Sequence, residues 1–242
     1  AQLSLFKNAL EEFDLAIKFN PENPKIYRKK GILLFGMKKY EEAKNSFQKT
    51  IQLNPKDVQA HINLGMVHYT SGNKDEALKS WEHAIGIKHD DNDSKALNNI
   101  GNIYKAKNNF PKAIEYYQKA ITYEPTNSTY LNNLGDSYRL TGELEKAKET
   151  LLKSLAIDTN GMLTHFNLGT LYHTEGKFQK AIDSFQKSLN INPFYTEAYY
   201  QLATTHLKAN NKESAKKSIE KAIQADPGNL KFQELYNKIS AS

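Results

Sequence analysis

The stretch HFNLGTLYHTEGKFQKAIDSFQKSLNINP, residues 165–193, decides the fold. His165, Leu168, Gly169 and Tyr172 recur at three- and four-residue spacing, the period of one helix face. Phe178, Ala181, Ile182, Phe185 and Leu189 repeat that spacing further on. Gly176 stands between the two runs, where a left-handed backbone stops a helix. Pro193 closes the stretch because proline cannot continue a helix interior. The reading is two short amphipathic helices folded back on each other, with Gly169 and Ala181 small enough to let them cross closely.

Outward from this stretch the pattern recurs. The signature alanine falls at Ala9, Ala43, Ala77, Ala113, Ala147, Ala181 and Ala215, in steps of 34, 34, 36, 34, 34 and 34. Gly31, Gly65, Gly101, Gly135, Gly169 and Ala203 keep the same register on the preceding run. Pro21, Pro55, Pro125, Pro193 and Pro227 mark repeat ends, with His89 and Thr159 in the two remaining slots. Asn108 and Asn210 take the turn position of Gly176, and Asn tolerates the left-handed region best after Gly. A helix of about 14 residues is marginal alone in water. Each helix pair leaves one apolar stripe open that only the next pair covers, so the array is stable as an array.

Six full units follow: 24–57, 58–93, 94–127, 128–161, 162–195 and 196–229. The second carries a two-residue insertion, read as a loop at 88–93. Residues 1–23 hold a lone second helix, about 4–20, with Phe6, Ala9, Phe13 and Ala16, and look like half a repeat of a truncated chain. Residues 230–242 form a closing helix with the stripe Phe232, Leu235, Tyr236 and Ile239.

These residues resemble the tetratricopeptide-repeat family, most closely in 165–193 and in LNNIGNIYKAKNNFPKAIEYYQKAITYEP, 97–125. The resemblance implies an all-α, right-handed superhelical solenoid of antiparallel helix pairs. It also implies protein binding on an inner, concave wall lined by the first helices.

Composition removes other classes. Among 242 residues, 39% are hydrophobic and 25% charged, a folded and not a disordered balance. There is no Cys, which excludes a disulfide scaffold or a thiol nucleophile. The net charge of +6 comes from interleaved acids and bases, a mild preference for acidic partners. The longest apolar run, 32–37, is too short to cross a bilayer. No metalloprotease helix, nucleophile elbow or dinucleotide fingerprint occurs. The seven histidines read as packing residues, with His173 alone on the opposite helix face. No enzyme activity, cofactor or metal is expected.

Counting each unit from its first residue, position 6 reads Lys29, Asn63, Asn99, Asn133, Asn167 and Gln201. Four consecutive units place Asn in mid-helix, where it costs roughly 0.6 kcal/mol against Ala. An amide offers both donors and an acceptor, so it can hold a peptide backbone of any sequence. With a second helix separating successive first helices, neighbouring amides are expected roughly 10 Å apart, about three residues of extended chain. Around this ladder the predicted groove is basic at one end (Lys25, Arg28, Lys29) and contains Lys105 and Arg139 in the middle. It becomes apolar at the other end with Phe166 and Tyr200. Asn102 and Asn133 match two positions of the carboxylate clamp that the family uses on chaperone tails. Asn98, Leu163 and Asn167 fill the basic slots of that clamp, so it is incomplete.

The functional expectation is a cytoplasmic protein-binding scaffold for an extended or helical partner segment of some acidic character. The alternatives are the substrate-selecting part of a larger enzyme such as a glycosyltransferase, and, less favoured, RNA binding, which strong salt dependence would reveal. Membrane insertion is not expected.

Overall fold

A computed structural model describes residues 2–87 and 93–241. Among them lie fourteen helices and no strand. They are α1 (Gln2–Phe19), α2 (Pro24–Gly36), α3 (Tyr40–Leu53), α4 (Val58–Thr70), α5 (Lys74–Ile87), α6 (Asp93–Ala106) and α7 (Phe110–Tyr123). The second half holds α8 (Ser128–Leu140), α9 (Leu144–Ile157), α10 (Met162–Thr174), α11 (Phe178–Ile191), α12 (Thr196–Lys208), α13 (Lys212–Ala225) and α14 (Leu230–Ala241). The insertion read at 88–93 lies, up to the start of α6, outside the described residues.

Local chemistry sets the helix ends. Asn23, Asp57 and Asn127 each accept a backbone N–H of the following first helix, satisfying donors that a helix start leaves open. Between the two helices of a repeat, Gly72, Asn108, Gly142, Gly176 and Asn210 all have positive φ, as the turn spacing predicts. Lys38 sits in the same register at φ 60°, which the sequence reading did not foresee. A left-handed conformation costs an ordinary L-residue roughly 1–2 kcal/mol. The α2–α3 pair therefore carries strain that the other turns avoid with Gly or Asn.

The chain divides into two compact units, 1–108 and 109–242. Within each, the two helices of a hairpin pack more extensively than neighbouring hairpins do. The signature residues make that packing. Ala43, Ala77, Ala113, Ala147, Ala181 and Ala215 are fully buried. Four residues on, Phe47, Trp81, Tyr117, Leu151, Phe185 and Ile219 are no more than 1% exposed. Helix α1 carries the same signature in Ala9 and Phe13, yet both are half-buried, and Leu5, Leu15 and Phe19 are exposed. Among the described residues, its extensive contact is with α2. At the other end α14 buries Phe232 and Ile239 against α13, with Leu235 and Tyr236 packed beside them.

One spacing expectation fails. Successive first helices are not held apart by a second helix: α2 touches α4, and α10 touches both α8 and α12. The repeat is tilted enough for first helices to meet edge to edge, so their polar residues reach across to one another.

Several histidines within the described residues make specific contacts; His89 lies outside them. His61 Nε2 lies 3.0 Å from the Pro55 carbonyl, and His165 Nε2 lies 3.0 Å from the Thr159 carbonyl, the same tie in two repeats. His83 stacks on His61 with centroids 4.3 Å apart. His173 Nδ1 meets Thr205 Oγ1 at 2.8 Å. Burial holds His61, His68, His173 and His206 below the ordinary imidazole value, the nearby His83 and Lys208 adding to it at His61 and His173. The folded chain therefore binds fewer protons than the unfolded one as pH falls. Stability from these groups is complete above about pH 6.5 and drains as pH drops through their folded values. Thermal melts should show a lower midpoint at about pH 5 than at about pH 7.5, above the carboxylate range. His61→Gln should flatten part of that dependence. A midpoint unchanged between the two conditions would refute the assignment.

Candidate peptide-binding surface

The polar positions of the first helices follow from their helical register. Positions 5 and 6 lie away from the second helix of the same repeat and, given the edge-to-edge contact above, beside the neighbouring first helix. In the first unit, Asn63 on α4 is partly exposed; its Oδ1 accepts from Gln59 Nε2 at 3.2 Å. Its Nδ2 is buried without a partner. Asn99 on α6 is partly exposed and directs Nδ2 at the Met66 sulfur, 3.3 Å away on α4. Asn102 and Lys105 stand further along α6, both partly exposed. At the start of α2, Lys25 and Lys29 are exposed, while the Arg28 guanidinium reaches Asp57 at 3.3 Å.

In the second unit Asn133 is partly exposed, but Asn167 is 8% exposed and donates to Asn132 Oδ1 at 2.9 Å. The amide at Asn167 thus links α10 to α8. Gln201 donates to Glu197 Oε1 at 2.9 Å, one turn back on α12. Arg139 is folded onto Asp136, with Nε and Nη2 at 3.1 and 2.7 Å from Oδ1. Phe166 lies across Phe185 and Tyr195, at ring distances of 5.6 and 5.0 Å, so much of its surface serves the core. Tyr200 rests on Phe232, with the Lys231 ammonium 3.9 Å above its ring.

An open cleft of about 220 Å³ lies between the starts of α8 and α10. Asn132 and Asn133 line it with Ser128, Thr129 and Asn160. The sequence reading missed Asn132, and it missed the partners one turn before Asn63 and Gln201. Their signal is visible in hindsight: Gln59 and Glu197 stand four residues before the amide they bond, on the same face.

Among the described residues, no cluster of three or more His, Asp or Glu could hold a metal ion, and no helix is long and apolar enough to cross a membrane.

Four tetratricopeptide-repeat family models match the chain, over residues 28–88, 94–127, 127–193 and 172–239. No curated protein sequence matches it significantly. Among solved structures, the Cut9–Hcn1 hetero-tetramer of the APC/C is similar with a TM-score of 0.81 at 17% identity. That match covers 97% of this chain and 46% of the other, so the chain spans under half that relative's length. PilF of Pseudomonas aeruginosa is similar with a TM-score of 0.74 at 20% identity, over 89% of this chain and 97% of PilF. YrrB, described as having an unusual peptide-binding site, aligns over 94% of this chain and 99% of its own with a TM-score of 0.50 at 19% identity. At these identities the likeness establishes an all-α solenoid of repeated helix pairs.

Proposed function

The chain belongs to the tetratricopeptide-repeat family, and from that premise we propose that it is a non-catalytic scaffold docking an extended segment of a partner protein on its first-helix surface. The observation that carries the reading is an open cleft lined by mid-helix amides. Asn132 and Asn133 line it at the start of α8. Such amides suit a peptide backbone, whose donors and acceptors are the same for every sequence. The exposed Lys25 and Lys29 favour an acidic residue in the segment that approaches α2. The peptide-binding site named for YrrB is in keeping with this use of the fold.

Affinity capture with mass spectrometry tests the reading. The bait is the chain with Asn63, Asn99 and Asn133 all changed to Ala, beside the wild type. Asn167 stays native because it bridges α8 and α10. With equal helicity by circular dichroism, a partner held by wild type should be lost from the triple variant. Undiminished capture would show that these amides serve only the packing between helices.

A further inference from the structure

The second helices carry a basic row on their outer side. Six residues after the signature alanine stand Lys49, His83, Lys119, Lys153, Lys187 and Lys221. Lys119 and Lys153 are held by Glu115 and Glu149, one turn back, at 2.6 and 2.8 Å. On α11 and α13 that restraint is gone. Asp183, one turn before Lys187, accepts instead from Gln179 at 2.9 Å. Before Lys221 stands Lys217, itself paired with Glu213 at 2.6 Å. Lys187 and Lys221 are exposed and make no ion pair among the described residues; Lys221 lies over the Tyr199 ring at 5.6 Å.

These two ammonium groups border a run of cavities within the second unit. One of about 420 Å³ includes Leu155, His165, Lys187 and Ile191. The next, about 590 Å³, lies between α11 and α13 over Tyr199, Leu202 and His206. A third of about 380 Å³ adjoins Phe194, whose side chain is among the most exposed apolar groups at 82%. Asn190 is common to the first two, and Pro193, Tyr199 and Lys221 to the last two, so the three are neighbours. No Asp or Glu lines any of them. Within the middle cavity, His206 leaves a buried Nδ1 without a partner.

We propose that this second-helix face of α11 to α13 docks an acidic segment of a partner protein, in which a large apolar side chain is flanked by carboxylates. The apolar group enters between α11 and α13 against Leu189, Tyr199 and Leu202, a cavity in the size range of specific ligand sites. The carboxylates meet Lys187 and Lys221, which the chain itself leaves uncompensated. A lining of one sign selects its partner by excluding like charge as much as by attracting the opposite. The residues assigned to it, Lys187, Lys221, Leu189, Tyr199 and Leu202, include none of the first-helix amides.

The test is a random dodecapeptide library displayed on phage and panned on the full chain carrying Asn63→Ala/Asn99→Ala, which removes first-helix binders. Binding of the selected peptides is then measured to wild type, to Lys187→Glu/Lys221→Glu, to Lys187→Gln/Lys221→Gln and to Asn63→Ala/Asn99→Ala. The enriched peptides should be net acidic with an aromatic or large aliphatic residue. They should lose about tenfold or more in affinity to the charge-reversed chain, less to the glutamine chain, and nothing to the asparagine variant. Both lysines are exposed, so unchanged circular dichroism and melting are expected of all lysine variants. The proposal is overturned by any of four results: no enrichment, enriched peptides without acidic excess, equal binding to wild type and the charge-reversed chain, or an oligothymidylate bound through the same lysines as tightly as the best peptide. Self-association of the chain abolished by the charge reversal would likewise assign the face to a second copy.

Discussion

Gly65→Ala should destabilise the chain by about 1–3 kcal/mol, although alanine is the better helix former by about 1 kcal/mol. A β-carbon at Gly65 would lie 2.5 Å from Trp81 Cδ1 and closer still to Nε1. The indole cannot retreat, because it is fully buried and its Nε1 donates to the Ile62 carbonyl at 3.0 Å. Gly169→Ala should behave alike, its β-carbon 2.6 Å from the Phe185 ring. Gly86→Ala is the internal control. Nothing lies within 4 Å of a β-carbon there, and the same change should stabilise by about 0.5–1 kcal/mol. Urea titration followed by circular dichroism compares the three. If Gly65→Ala proved as stable as wild type, close helix crossing would not be what keeps glycine at this register.

Trp81→Ala should cost about 3–5 kcal/mol, the range for removing a large buried aromatic. The ring is fully buried between α4 and α5 and lies 5.8 Å from the Tyr69 ring. Trp81→Phe should cost much less: the lost hydrogen bond is worth about 0.5–1.5 kcal/mol, plus a smaller void. The molecule supports this comparison itself, since Phe47 and Phe185 occupy the equivalent place in other repeats and are no more than 1% exposed. The same urea titrations, read as midpoints, check both variants. Equal losses for Phe and Ala would mean that the indole hydrogen bond, not the ring volume, holds this hairpin.

The contrast between these sites and the candidate surface explains how far the sequence could be read. Gly65, Trp81, Ala77 and their counterparts obey a spacing that burial enforces, so periodicity reveals them. The turns were legible where Gly or Asn carried the positive φ, but not at Lys38, where the fold imposes it on an ordinary residue. Position 6 was legible as a column of Asn, while its meaning was not. The link from Asn167 to Asn132 and the Asn99 contact with Met66 depend on how one repeat tilts against the last. That tilt arises from the summed shapes of many side chains, and no single spacing encodes it. Phe166 shows the same limit: its register put it on the binding face, but Tyr195, 29 residues later, draws its ring toward the core.

Within each unit, and among the described residues, extensive contacts join helices one or two places apart along the chain, and this has a consequence for synthesis. A ribosome adding about 5–20 residues per second releases one 34-residue repeat roughly every 2–7 s. Local helices and loop closures form in microseconds or less. Each new hairpin therefore finds its whole docking surface already outside the exit tunnel and waits for nothing downstream. The stripe left open at any moment is one helix face wide, whatever the final length. Repeats can accordingly be gained or lost by a lineage without exposing the nascent chain to a longer sticky interval.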